Sequence, residues 1–161
     1  MRGSVLFVAG LLAGVAIHSV AAQEARIPGA QLNHVMVRVP DVEQAKKFYI
    51  DTFGFSETFS FKNADGTPAF TYLQISRDTF LELMPASAQN PPGLGHIGLE
   101  VGNIQDTVKR MRARGLMARD PNVSERTSAR ISAVQATAGV SIELLEFPPE
   151  SLVRKAITAW K

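Results

Sequence analysis

Four residues of this chain have the types and the spacing to do chemistry together: His34, Glu82, His96 and Glu143. The histidines lie 62 positions apart and the glutamates 61, each pair in closely similar surroundings. Residues 32–39 (LNHVMVRV) match 94–101 (LGHIGLEV), while 80–84 (FLELM) and 141–145 (SIELL) each set one carboxylate in an otherwise apolar run. Two imidazoles and two carboxylates are a donor set for a divalent ion, with room left for water or substrate oxygens. Taken singly, a strand histidine is ordinary packing, and Glu82 could pair with Arg38 or reach solvent. Their joint recurrence at matching repeat positions favours a metal site, because a carboxylate on an apolar strand face is costly unless paired or bound to a cation. The chain has no Cys, which excludes disulfides and thiolate ligands.

The elements that must position these residues read as a duplicated unit: strand, helix, then three strands. Asp41 and Asn103 are suited to cap the N-termini of amphipathic segments carrying Val42, Ala45, Phe48, Tyr49 and Phe53 in one copy and Ile104, Val108 and Met111 in the other. Gly54 and Gly115 end them as left-handed caps. The later strands are expected near 55–61, 70–75 and 79–84, and near 116–119, 130–136 and 140–147. The fold class is therefore α+β: two tandem βαβββ modules, 31–84 and 94–147. A Pro-rich and Gly-containing linker, 85–93, joins them, and a closing helix lies within 148–161.

Side chains two apart on a strand share a face. Val35, Val37 and Val39 would face the helix, leaving His34, Met36 and Arg38 opposite; Ile97, Leu99 and Val101 leave His96 and Glu100. By the same rule Phe80, Glu82 and Met84 share a face, as do Glu143, Leu145 and Phe147. All four ligand-type residues thus point away from the helices. Met36, Phe80, Met84, Leu145 and Phe147 are the candidates to line a substrate cavity. Arg38 is a candidate to hold an anionic substrate group, or to pair with Glu82 or Glu100.

Composition, with 45% apolar and 20% charged residues, is that of a globular protein and excludes a disordered or collagen-like chain. A net charge of +2 gives no footing for nucleic-acid binding, and the basic cluster 109–114 has no interleaved aromatics. Arg2, the uncharged run 5–17 and small residues at Val20 and Ala22 read as a secretory signal, 1–22, cleaved between Ala22 and Gln23. The expected location is the periplasm or the cell exterior. The run is short for a membrane span, so no stable span is expected after cleavage.

With its His, Glu, His, Glu pattern, the duplicated unit resembles the vicinal oxygen chelate superfamily, which includes the glyoxalases, bleomycin-resistance proteins and extradiol dioxygenases. It is most similar to bacterial glyoxalase I. The resemblance implies that the two modules form a curved mixed sheet around a divalent metal, with Zn, Ni, Mn and Fe undistinguished, held by His34, Glu82, His96 and Glu143. It implies a lyase or isomerase acting on a small α-hydroxycarbonyl substrate through an enediolate, with Glu143 as the base and Glu82 as runner-up. Arg38 matches an arginine that contacts glutathione in that family. A homodimer is implied as well. The alternatives are a ring-cleavage dioxygenase, against which the fourth ligand Glu82 argues, and a non-catalytic small-ligand-binding protein of the same fold. Two departures, 136–139 (ATAG) where relatives carry an acidic turn and 84–87 (MPAS) where glyoxalase I has an asparagine, detach the resemblance from glutathione itself.

Overall fold

A computed structural model describes residues 26–161; the expected export signal lies outside the described residues. The first module runs β1 (Gln31–Val39), α1 (Val42–Phe53), β2 (Ser56–Lys62), β3 (Pro68–Ser76) and β4 (Thr79–Pro85). The second runs β5 (Gly93–Glu100), α2 (Ile104–Ala113), β6 (Asn122–Val123), β7 (Arg130–Gln135) and β8 (Ser141–Glu146), and α3 (Leu152–Ala159) follows. The helices start where short polar side chains can satisfy otherwise unpaired amides. Asp41 accepts from Gln44 N and Asn103 from Asp106 N, both at 2.9 Å. Gly54 and Gly115 adopt φ values of 70° and 80°, the left-handed turn that stops each helix.

The strands form one sheet in the order β2-β3-β4-β1-β5-β8-β7-β6. β1 is parallel to β4 and β5 to β8, while β1 and β5 pair antiparallel at the seam between modules. This open, curved, mixed sheet with three helices among the described residues is the α+β architecture that the tandem βαβββ pattern predicts. α1 and α2 each pack on their own module. Val42 of α1 joins Leu73, Leu81 and Leu83, with Val37 and Val39 beside them; Ile104, Val108 and Met111 of α2 join Val101, Val134 and Leu144. The opposite face carries a third core, shared by both modules, in which Tyr72, Phe80, Leu145 and Phe147 are covered by Val153 and Ile157 of α3. None of the described helices is long and apolar enough to cross a membrane.

One strand departs from expectation. Residues 116–119 contribute only an isolated bridge, Ala118 to Val134, and the edge strand is the two-residue β6. Pro121 lies between them and has no N–H to donate, so the ladder breaks there and resumes at Asn122 and Val123.

Candidate metal centre

The seam brings both histidines into contact. His34 on β1 and His96 on β5 place their Nε2 atoms 2.9 Å apart. Glu82 Oε2, from β4, lies 3.4 Å from His34 Nε2 and 3.3 Å from His96 Nε2. Glu143 Oε2, from β8, lies 3.5 and 3.6 Å from the same two atoms. His34, His96 and Glu143 each offer an atom within 4.8 Å of the other two, a group able to hold a metal ion. All four residues come from one chain.

The surroundings fit a cation better than four mutually satisfied side chains. Asn33 donates its amide N–H to Asp78 O at 3.4 Å, which turns its Oδ1 toward His34 Nδ1 at 3.1 Å. An amide oxygen only accepts, so Nδ1 carries the proton and Nε2 presents its lone pair to the site. Burial lowers the His34 pKa to about 4, keeping the ring neutral. The ring is seated against Gly98, its strand partner, where a Cβ would fall 2.2 Å from His34 Cε1. This cradle accepts an imidazole only because residue 98 is glycine. Two imidazoles and a carboxylate, with a second carboxylate beside them, are donors that suit a first-row divalent ion.

Burial pushes the Glu143 carboxyl up to about 7 against the pull of His96, with Glu82 adding to the rise and Arg119 opposing it. At His96 burial works against the proton, but the Glu82 and Glu143 carboxylates outweigh it and raise the pKa. Tyr72 is held far above the ordinary phenol range by burial and by the two carboxylates, so it stays protonated and donates to Glu82 Oε2 at 3.3 Å. Ligation requires His96 and Glu143 to be unprotonated. Ion affinity is therefore expected to strengthen as pH rises through about 7, where the Glu143 carboxyl gives up its proton, by about tenfold per pH unit for each proton displaced. Competition titrations at stepped pH check this; a flat profile would rule out proton displacement at the site.

Glu82 and Glu143 open into a cavity of about 310 Å3. Of the residues expected to line it, Met84, Leu145 and Phe147 do. Phe80 does not: it is fully buried in the shared core beside Tyr72. Met36 is buried across the seam from His96, with its Sδ and Cε against Gly95. Arg38 is half-buried, lies outside the lining, and pairs with neither expected glutamate. Glu100 is taken by Arg154 and by Gln31 Nε2 at 3.0 Å, and Glu82 faces the histidines.

Sequence reasoning did not single out Tyr72, although alternation along β3 puts it on the face of Glu82, its cross-strand partner. Nor did it single out Arg126. The loop 124–129 is closed by Ser124 N to Ala129 O at 2.8 Å and Ser128 N to Ser124 O at 2.9 Å, with Ser128 at φ 57°. It sets the Arg126 guanidinium 5.8 and 5.7 Å from the ring centres of Phe61 and Phe70, at the cavity wall. No local pattern in the sequence signals that placement.

The architecture and the ligand cluster define a class. Residues 31–144 match the Glyoxalase/Bleomycin resistance protein/Dioxygenase superfamily, and the chain belongs to it. A Synechocystis protein named probable lactoylglutathione lyase is 28% identical over 123 residues, covering 71% of this chain and 94% of that one. Methylmalonyl-CoA epimerase from Mycobacterium tuberculosis superposes with a TM-score of 0.63 at 22% identity, over 73% of this chain and 88% of its own. A variant of the Streptomyces coelicolor epimerase, in complex with 2-nitronate-propionyl-CoA, gives 0.65 at 18% identity, over 78% and 99%. At these identities the structural matches establish the fold.

Proposed function

We propose that the protein is an exported, divalent-metal-dependent lyase or isomerase of the glyoxalase I kind, converting a small α-hydroxycarbonyl compound through an enediolate. The observation that carries this reading is the meeting of His34, Glu82, His96 and Glu143 beside a cavity that the two glutamates line, with the Glu143 carboxyl raised to about 7. The 28% identical relative named as a probable lactoylglutathione lyase supports it. An ion held there would supply Lewis-acid stabilisation of the negative charge that develops on the substrate oxygens. His34 and Glu82, the more buried pair, fix the position; Glu143 takes the carbon-bound proton and returns it to the neighbouring carbon. A base with a pKa near the working pH is matched to that transfer. Likeness to epimerases is compatible, since inversion at a carbon next to a carbonyl also begins with removal of its proton.

Met84, Leu145 and Phe147 would hold the apolar body of the substrate, and Arg126 its anionic end. Arg38, half-buried with no ion pair or side-chain hydrogen bond among the described residues, offers a second positive charge nearby. Because one chain supplies all four ligand-type residues, the homodimer implied by family resemblance is not needed to assemble the site. Export rests on the leader, whose cleavage would release the folded domain into the periplasm or beyond.

The test is solvent deuterium exchange into a panel of α-hydroxycarbonyl compounds and hemithioacetals, before and after chelation and metal restoration. Exchange should vanish with chelation and return with the ion, and chelation should lower the melting temperature. Binding to the native state alone contributes about 2.7 kcal/mol at a hundredfold excess over Kd. Exchange and melting indifferent to chelation would end the metal reading. Oxygen consumption with a catechol and Fe(II) would instead move the protein among the dioxygenases.

A further inference from the structure

The duplication supplies two glutamates but not the same neighbours. On β3, Tyr72 stands directly across from Glu82; on β7, the residue across from Glu143 is Ala133. Tyr72 and Ala133 are repeat equivalents, 61 positions apart like the glutamates themselves. The Tyr72 hydroxyl donates to Glu82 Oε2 at 3.3 Å and also lies 3.4 and 3.5 Å from Nδ1 and Nε2 of His34, so the Glu82 background of the test below separates the two contacts; its ring is held by Phe59, stacked at 4.8 Å between centroids, and by Phe80 at 6.0 Å. Alanine offers nothing equivalent. Among the described residues Glu143 accepts no hydrogen bond from a neutral side chain; its contacts are the two imidazoles.

The histidines repeat the asymmetry. His34 is fully buried, tied to Asn33 and seated on Gly98, whereas the His96 side chain is 17% exposed and faces Met36 across the seam. In the first module both ligand-type residues thus have a polar partner outside the cluster, Asn33 for His34 and Tyr72 for Glu82, although Glu82 and Glu143 alike line the cavity.

We propose that Tyr72 is a positioning residue that holds Glu82 as a fixed ligand, and that Ala133, by withholding the same bond, leaves Glu143 free to leave the ligand position and carry a proton. This rests on the reading of the four residues as a metal centre with Glu143 as base. A core tyrosine needed only for packing could be phenylalanine at no cost to the site. A phenol that donates to a ligating carboxylate restricts its rotation and selects which oxygen turns to the ion, and partners of this kind typically govern metal affinity.

The experiment measures Zn(II) affinity by competition with a chromophoric chelator on the full chain. The proteins are the native form, Tyr72→Phe, Glu82→Ala, Glu143→Ala and the two double variants that combine Tyr72→Phe with each glutamate change. Tyr72→Phe should weaken Zn(II) binding about tenfold. That loss should disappear in the Glu82→Ala background and persist in the Glu143→Ala background. The apo melting temperature of Tyr72→Phe should stay near native, because the ring and its stacking remain. Residual deuterium exchange by Glu143→Gln should also rise when Tyr72→Phe is added, since a released Glu82 can then reach the substrate.

Equal losses in both backgrounds, or no loss, would overturn the proposal. Collapse of the Tyr72→Phe fold would make the hydroxyl structural and overturn it too. A native chain that binds no Zn(II) or other divalent ion defeats the metal reading itself, a distinct result.

Discussion

Glu143→Gln is expected to keep its metal and lose its chemistry. The amide oxygen can still coordinate, so metal content at saturating ion should remain close to native, while exchange of the carbon-bound proton falls by about 10²–10⁴-fold, the usual contribution of a positioned acid-base group. Glu82→Gln should cost less activity and more affinity, because Glu82 is the better buried of the two and is bonded to Tyr72. Both variants must be compared at matched metal content. Equal residual exchange in the two would remove Glu143 from the role of base, whatever the metal result.

The second large effect is expected at a residue with no side chain. Gly98→Ala puts a Cβ 2.2, 2.3 and 2.7 Å from Cε1, Nδ1 and Nε2 of His34. The ring cannot retreat, since it is fully buried with Asn33 on one side and Tyr72 edge-on at 5.3 Å between centroids. We expect divalent affinity to drop by about 100-fold, at the upper end for loss of a ligand's support, and apo stability by about 1–3 kcal/mol from overpacking. Gly95→Ala is the control. Its Cβ would come as close, 2.1 Å, but to Met36 Cε, the far end of a flexible side chain that can move aside. Metal titration and thermal melts of the two variants decide the matter: comparable affinity losses would mean that the cradle is not what positions His34.

The shared face of His34, Glu82, His96 and Glu143 was legible in the sequence because alternation is a local property of a strand, and the helix caps because they involve residues three positions apart. Alternation assigns a face but not a depth. On the curved sheet one face holds both the core beneath α3 and the cavity, so Phe80 and Met36 fell into packing while Met84, Leu145 and Phe147 line the space. The partner of Glu100 was equally hidden, since Arg154 approaches from 54 positions away on α3. Arg126 reaches the cavity through a loop whose course depends on Ser128 at positive φ and on Leu152 N binding Thr127 O at 2.9 Å. Neither contact leaves a periodic trace.

The arrangement of three cores bears on how the molecule comes apart. α1 and α2 each close a core within their own module, so each half has an apolar interior of its own. Among the described residues the halves are joined by the β1–β5 ladder, the packing under α3, Arg126 over Phe61 and Phe70, and the four ligand-type residues, two from each side of the seam. An ion bound there would act as a rivet. With it in place the halves would have to let go together, and without it the seam would be the line along which the sheet can part, so that cooperativity of unfolding, and not only its midpoint, would be a property of the bound metal.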